Sequence, residues 1–169
     1  MNITDYNKCV DQYADFVYRF LLKSLHDEAV AKDLVQDSFE RLWRVHGDLN
    51  AEKAKPYLFR CAYNAMIDHT RRNHPTYDLE TSVNIQQHAF NQYSDVQEIL
   101  QQALQTMKPE QRSVILLRDL QGYQYQEIAG ITGLSLAQVK VYIFRGRVFL
   151  KQYLEKVGIH SHSDLEEMV

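Results

Sequence analysis

Tyr125–Arg147 reads YQEIAGITGLSLAQVKVYIFRGR, two apolar-periodic pieces that meet at Gly133. Ile128 and Ala129 lie on one side of the glycine; Leu134, Val139 and Ile143 lie on the other. Ala129 stands four residues before Gly133 and Val139 six after it, which is the spacing of a helix-turn-helix. A small residue lets the two helices cross closely, a glycine turns the chain, and a branched apolar residue packs the second helix back. That second helix carries Lys140, Arg145 and Arg147, cations suited to phosphates. The same residues also fit an ordinary helical hairpin with a solvated basic face.

Outward from this stretch, charge is unevenly placed. The 169 residues sum to −3, which argues against a general nucleic-acid binder. Locally, residues 55–75 set Lys55, Arg60, Arg71 and Arg72 against Asp68, and residues 118–156 also carry a cationic surplus. Residues 76–110 between them are acidic. Two basic blocks with an acidic spacer suit a protein that touches DNA at two places. Cys9 and Cys61 have no CxxC spacing, so neither a zinc site nor a disulfide framework is expected, and Cys61 falls on an apolar helical face. With no signal peptide and no run long enough to span a bilayer, no membrane insertion and a cytoplasmic location are expected.

Apolar spacing predicts a helix over 6–25, through Val10, Tyr13, Ala14, Val17, Leu21 and Leu25. Asp27 is placed to cap a second helix running to about Arg44, with Val30, Leu34, Ser38, Phe39 and Leu42 as its stripe and Val35 and Trp43 alongside. A loop over 46–54 precedes a helix over roughly 55–72, with Pro56 in its first turn. This helix buries Leu58, Cys61, Ala62 and Ala65, while Tyr57, Arg60, Asn64, Asp68 and Arg71 repeat along another face. Such a face can stack on and bond to unpaired bases. It can equally be a solvated face with Asp68 paired to Arg71 or Arg72. Residues 74–93 lack a period and read as a flexible linker, with a short helical turn possible around 85–90. Ser94 opens the next helix, Pro109 starts another over 109–120, and the helix-turn-helix follows, its second helix capped by Ser135 and Gln138 and reaching about Lys156. Residues 157–169 read as a frayed tail. The expected fold is all-α: two small helical domains, 1–73 and 94–156, joined by a flexible linker. No phosphate loop, nucleophile elbow or metal-ligand spacing is present, so no enzyme, cofactor or metal is expected.

Three stretches in this order resemble the extracytoplasmic-function sigma factors, the small two-domain group of the bacterial sigma-factor family. Lys32–Trp43 (KDLVQDSFERLW) resembles that family's DLVQ-x-x-F-x-x-x-W helix. Tyr57–Arg72 (YLFRCAYNAMIDHTRR) resembles its WL-x-x-IA-x-N-x-x-ID-x-x-R helix, and Leu104–Arg147 its LP-x-x-x-R helix with the helix-turn-helix. The resemblance implies a factor that binds core RNA polymerase, helps open the minus-ten element with its first domain, and reads the duplex minus-thirty-five element with its second. By motif match, Asp33, Gln36, Asp37 and Glu40 would face the polymerase. Gly47, Asp48, Asn50 and Lys53 would lie in the loop that captures a flipped base, and Tyr57, Arg60, Asn64, Asp68 and Arg71 near the separated strand. Ser135, Gln138, Lys140, Val141, Tyr142 and Arg145 would read the minus-thirty-five duplex. Core RNA polymerase, promoter DNA and an anti-sigma factor are the implied partners. The rival reading is a helix-turn-helix regulator that binds duplex DNA without polymerase; it has no need of the Asp33–Trp43 motif.

Several positions depart from the family pattern. Met107-Lys108-Pro109 places the proline one residue late, and Gln124 stands where a capping serine is common. Gln138 replaces a threonine, and Val141-Tyr142 replaces Ser-Arg. Gln138 either closes a capping box with Ser135 or reads an adenine edge; the cap is favoured.

Overall fold

The computed structural model describes residues 1–73 and 94–159, and every regular element among them is helical. The expected linker over 74–93, its helical turn and the tail beyond Ile159 lie outside the described residues.

Local chemistry sets the ends of the first three helices. Helix α1 spans Ile3–Leu25. It begins earlier than its apolar period suggests because Asn2 and Asp5 form a reciprocal cap: the Asp5 N–H donates to Asn2 Oδ1 at 2.8 Å and the Asn2 N–H to Asp5 Oδ2 at 3.4 Å. His26 ends it in the left-handed region, at φ 54°, donating its N–H to Leu22 O. Helix α2 spans Glu28–Val45, and Asp27 accepts from the Val30 N–H at 3.0 Å. A single 3-10 turn, Ala51–Lys53, leads into α3, Ala54–Asn73.

The second domain holds α4 (Ser94–Thr106), α5 (Pro109–Ile115), α6 (Tyr125–Thr132) and α7 (Leu136–Lys156). Pro109 sits in the first turn of α5, where its missing N–H costs nothing. The single helix expected over 109–120 does not continue. From Leu116 to Leu120 the chain widens into a π turn, with the Gln121 N–H donating to Leu116 O at 3.1 Å. The wider turn lets the chain leave at Gly122, φ 74°, and directs Tyr123 inward. Gly133, φ 75°, closes α6 with its N–H on Ala129 O at 2.9 Å, as the helix-turn-helix reading requires.

Each domain buries its own apolar stripes. Val17, Phe20, Leu21, Leu42, Leu58 and Ala62 fill the first; Val114, Leu117, Ile128, Ile131, Val139 and Ile143 fill the second. A smaller cluster of Ile99, Ala103, Tyr153 and Leu154 holds α4 to the end of α7. The two domains do not stand apart. Phe59 lies edge-on between Phe20, at 5.7 Å, and Tyr123, at 5.2 Å, and the buried residues of both domains form one continuous cluster. Helix α3 therefore buries Phe59, Tyr63, Met66, Ile67 and Thr70 beyond the four positions its motif suggests.

Two glycines of α6 and its turn predict opposite signs. Neither Gly130 nor Gly133 has an atom within 4 Å of an added Cβ, but only Gly133 holds positive φ. Gly130→Ala should stabilise the protein by up to about 1 kcal/mol, whereas Gly133→Ala should destabilise it by about 1–2 kcal/mol. Urea unfolding of the two variants checks both signs.

Candidate polymerase and nucleic-acid interfaces

Four surfaces carry the residues singled out by sequence. The first is the outer face of α2. Asp33, Gln36, Asp37 and Glu40 are all exposed there, because Ala31, Leu34, Ser38 and Leu42 take the inner face. Ser38 is buried without penalty, its hydroxyl donating to Leu34 O at 2.7 Å. Glu40 already pairs with Arg44 at 2.6 Å, whereas Asp33 and Asp37 carry no ion pair among the described residues. A face of two unpaired carboxylates and an amide suits a basic partner surface.

The second is the connection from α2 to α3. Gly47, Asp48, Asn50 and Lys53 are exposed, and Asn50 Oδ1 caps the 3-10 turn by accepting from Glu52 N–H at 3.1 Å. Leu49 anchors the loop from beneath, with its carbonyl accepting from the Met1 ammonium at 2.8 Å. Trp43, expected along the apolar stripe, is instead 42% exposed at the loop's entrance. Its ring stacks on His46 at 4.3 Å, with Tyr6 edge-on at 4.9 Å.

The third is the outer strip of α3. Arg60, Asn64, Asp68 and Arg71 are exposed and Tyr57 is half-buried, all on one line along the helix. The alternative reading, Asp68 paired with Arg71 or Arg72 side chain to side chain, is not what the structure shows. Arg72 donates to the Asp68 backbone carbonyl at 3.2 Å, and Arg71 points to Glu110 of α5 at 3.9 Å. The Asp68 carboxylate is left to solvent. Burial, with the neighbouring Cys61 thiol, raises the pKa of the Tyr57 phenol, while Arg41, from α2, and Arg60 act against it. Arg41 is an exposed cation that the sequence reading did not place on this surface.

The fourth is α7. Ser135 and Gln138 form the capping box: the Gln138 N–H donates to Ser135 Oγ at 3.1 Å, and the Ser135 N–H to Gln138 Oε1 at 2.9 Å. The amide oxygen of Gln138 is thus held by the cap. Lys140, Val141 and Arg145 are exposed, while Tyr142 is half-buried against the shared core. Arg147 differs from its neighbours, being forked onto Asp119 through Nε and Nη2. Phe144 was missed by the sequence reading and is 71% exposed; with Val141 and Val148 it forms an apolar row facing away from the core. Their phase, offset from Val139 and Ile143, is the signal that would have identified the row. Gln124 takes the place of a capping serine through a substitute: the Glu127 carboxylate accepts the Gln124 N–H at 2.7 Å, and the Gln124 amide oxygen faces Arg118.

Helices throughout the described residues, an acidic outer face on α2, an aromatic-amide-arginine strip on α3 and a helix-turn-helix are the make-up of a DNA-binding transcription protein. Comparison with known proteins assigns the family. Residues 9–76 match the model "Sigma-70 region 2", and residues 97–150 match "Sigma-70, region 4". The chain is 30% identical over 145 residues to the ECF RNA polymerase sigma factor SigM of Bacillus subtilis, covering 82% of this chain and 88% of that one. It is also 30% identical over 159 residues to the ECF RNA polymerase sigma factor SigE of Mycolicibacterium smegmatis, 89% of this chain but 62% of that protein's length. Among solved structures, the sigma factor RpoE of Bartonella quintana, crystallised with the anti-sigma factor NepR, superposes with a TM-score of 0.69 at 22% identity, over 90% of this chain and 98% of that one. The chain belongs to the ECF RNA polymerase sigma factors. It directs core RNA polymerase to promoters; members of this family are initiation factors rather than catalysts. No helix among the described residues is long and apolar enough to cross a membrane.

The capping box and the exposed cation of α7 can be separated by measurement. Ser135→Ala should lower stability by about 1 kcal/mol. Lys140→Ala should leave stability within about 0.5 kcal/mol, while reducing the log–log salt slope of duplex binding by roughly 1. Urea unfolding and binding titrations at several salt concentrations supply the two readouts.

Proposed function

We propose that the chain divides its work at the boundaries 1–73 and 94–156. The first part binds core polymerase through Asp33, Gln36, Asp37 and Glu40 and holds the opened minus-ten strand. The second part reads the minus-thirty-five duplex with α7. The observation that carries the reading is the α3 strip. Exposed Arg60, Asn64, Asp68 and Arg71 and half-buried Tyr57 form one row on a helix that is otherwise buried on two sides, so their spacing is rigid. Pulling a base out of the stack costs a few kcal/mol, and aromatic stacking returns about 1–3 kcal/mol per base. Tyr57 supplies a ring, Asn64 an amide for a base edge, and Arg60 and Arg71 the charge for a backbone. The adjoining loop, through Gly47, Asp48, Asn50 and Lys53, receives the flipped base.

On α7, Lys140 and Arg145 take phosphates, and Val141 and Phe144 offer apolar contact to thymine methyl groups. Ser135 and Gln138 set the start of the helix, and Tyr142 braces it. The chain performs no covalent step of its own and works in the cytoplasm, where its polymerase is. An anti-sigma factor is a further partner, supported by the likeness to RpoE, whose solved structure contains one.

Run-off transcription from a promoter library with core polymerase tests the whole reading: specific transcripts are expected, and their absence together with absence of co-elution with core would overturn it. Asn64→Ala should reduce open-complex formation about tenfold or more, the equivalent of ~1.4 kcal/mol, while duplex binding through α7 stays unchanged. Permanganate footprinting alongside duplex titration distinguishes the two effects.

A further inference from the structure

We infer that Asp119 acts as a brake on DNA binding: by neutralising Arg147 it keeps the free chain from being held by duplex of any sequence. The inference rests on the reading of α7 as the duplex-reading helix. Lys140, Phe144 and Arg147 stand four and then three residues apart, one above the next on a single face of α7. By phase, Arg147 belongs with Lys140 as a second cation for phosphates. Its charge is already taken. Nε and Nη2 are forked onto the two oxygens of the Asp119 carboxylate, and that side chain is only 17% exposed. A forked arginine–carboxylate pair is directional, and stronger than hydrogen bonds between neutral groups.

The pair is built into the fold rather than made by two free side chains. Asp119 lies in the π turn Leu116–Leu120, where the carbonyls of Leu116, Leu117 and Arg118 accept from the N–H groups of Gln121, Tyr123 and Gly122. The backbone is thereby tied across Asp119. On α7, Gly146 precedes Arg147 and lies against Ile115 of α5: an added Cβ would stand 2.7 Å from Ile115 Cδ1 and 3.0 Å from Met107 Cε. The missing side chain lets α7 approach closely, which sets Arg147 within reach of the π turn. Lys151, one turn further along the same face, makes the contrast. It meets Glu155 at 4.0 Å with both side chains about half exposed, a pair that water and salt dissolve. Phosphate neutralisation steepens the log–log salt dependence by about 0.9 per contact and is indifferent to sequence. An unrestrained Arg147 would raise affinity for all duplex alike. With Asp119 beside it, the pair brings no net charge to the DNA backbone, and the free chain stays available to polymerase.

Removing the charge of Asp119 tests this. Asp119→Asn keeps the shape of the side chain and releases Arg147. The free full-length variant, titrated with a mixed-sequence duplex at several salt concentrations, should bind about fivefold more tightly near 0.1 M salt and show a log–log slope steeper by roughly 0.9. Asp119→Asn combined with Arg147→Gln exchanges one neutral pair for another and should return affinity and slope to the parental values. Urea unfolding shows that each variant is folded. Unchanged or weaker binding by Asp119→Asn overturns the brake. So does weaker binding by the double variant, which decides the matter even if the single variant fails to fold, because Arg147 would then be gripping DNA with Asp119 in place. Lys140→Ala separates this from the underlying reading: if it leaves the slope unchanged, α7 is not the face that meets duplex, and the inference falls with that reading.

Discussion

Phe59 sits at the point on which the rest of the molecule depends. One edge of its ring belongs to the first domain, against Phe20, and the other to the second, against Tyr123. Helix α3 is for this reason buried on two sides, and what remains wet is a narrow line of side chains. That geometry converts a helix into a ruler. The side chains on the line are fixed at the rise of an α-helix, about 5.4 Å per turn. The separation suits a nucleic-acid strand that must be held open rather than merely attracted. Burial also acts on the phenols beside the seam: the Tyr63 hydroxyl is pushed up to about 12, chiefly by desolvation, and Tyr123 is raised further for the same reason. Both stay neutral at any physiological pH, so the junction between domains carries no titrating charge of its own from these rings.

Electrostatics then divides the labour. The outer side of α2 is acidic, the α3 strip is mildly basic, and the first half of α7 offers Lys140 and Arg145, Arg147 being committed to Asp119. Few phosphate contacts mean weak binding to free duplex and a shallow salt dependence. A protein built this way gains its grip on a promoter by being carried there. Attachment to polymerase raises the effective concentration of each reading surface at its element, and avidity replaces raw affinity. The small local basic blocks in a chain of net charge −3 are in this sense a feature of specificity, since a strongly basic chain would be held by DNA everywhere.

How much of this could be read from the residues follows from which signals are local. Caps, turns and the helix-turn-helix depend on neighbours three to six residues away, and Asp27, Pro109, Gly133 and the Ser135–Gln138 box stand where the sequence puts them. Where a second local device competed, the reading went astray: Asn2 and Asp5 start α1 early, and the π turn at Leu116–Leu120 ends α5 short. The double burial of α3 was hidden for a different reason. Apolar residues on two sides of a helix weaken the periodicity that identifies either side, so Phe59 and Tyr63 read as strays beside Leu58 and Ala62. Their partner, Tyr123, is sixty-four residues downstream of Phe59, and no local pattern couples them. Trp43 and Phe144 fail differently: Trp43 reads alongside the apolar stripe of α2 yet is turned outward, while the phase of Phe144, offset from Val139 and Ile143, already places it outward and was overlooked.

The seam between the two domains is mixed in composition. Its polar half is made of glutamine amides donating to backbone carbonyls at Phe16, Lys23 and Ser24. Such bonds exchange for water with a net change of only about 0.5–1.5 kcal/mol each, and no buried ion pair is left broken when they part. Its apolar half joins the two cores into one cluster, with Phe59, Tyr63 and Met66 of α3 turned into it. Phe59, Tyr123 and Lys55 sit where the two halves meet, ring against ring and ammonium over ring, so the polar and apolar parts of the junction share the same side chains.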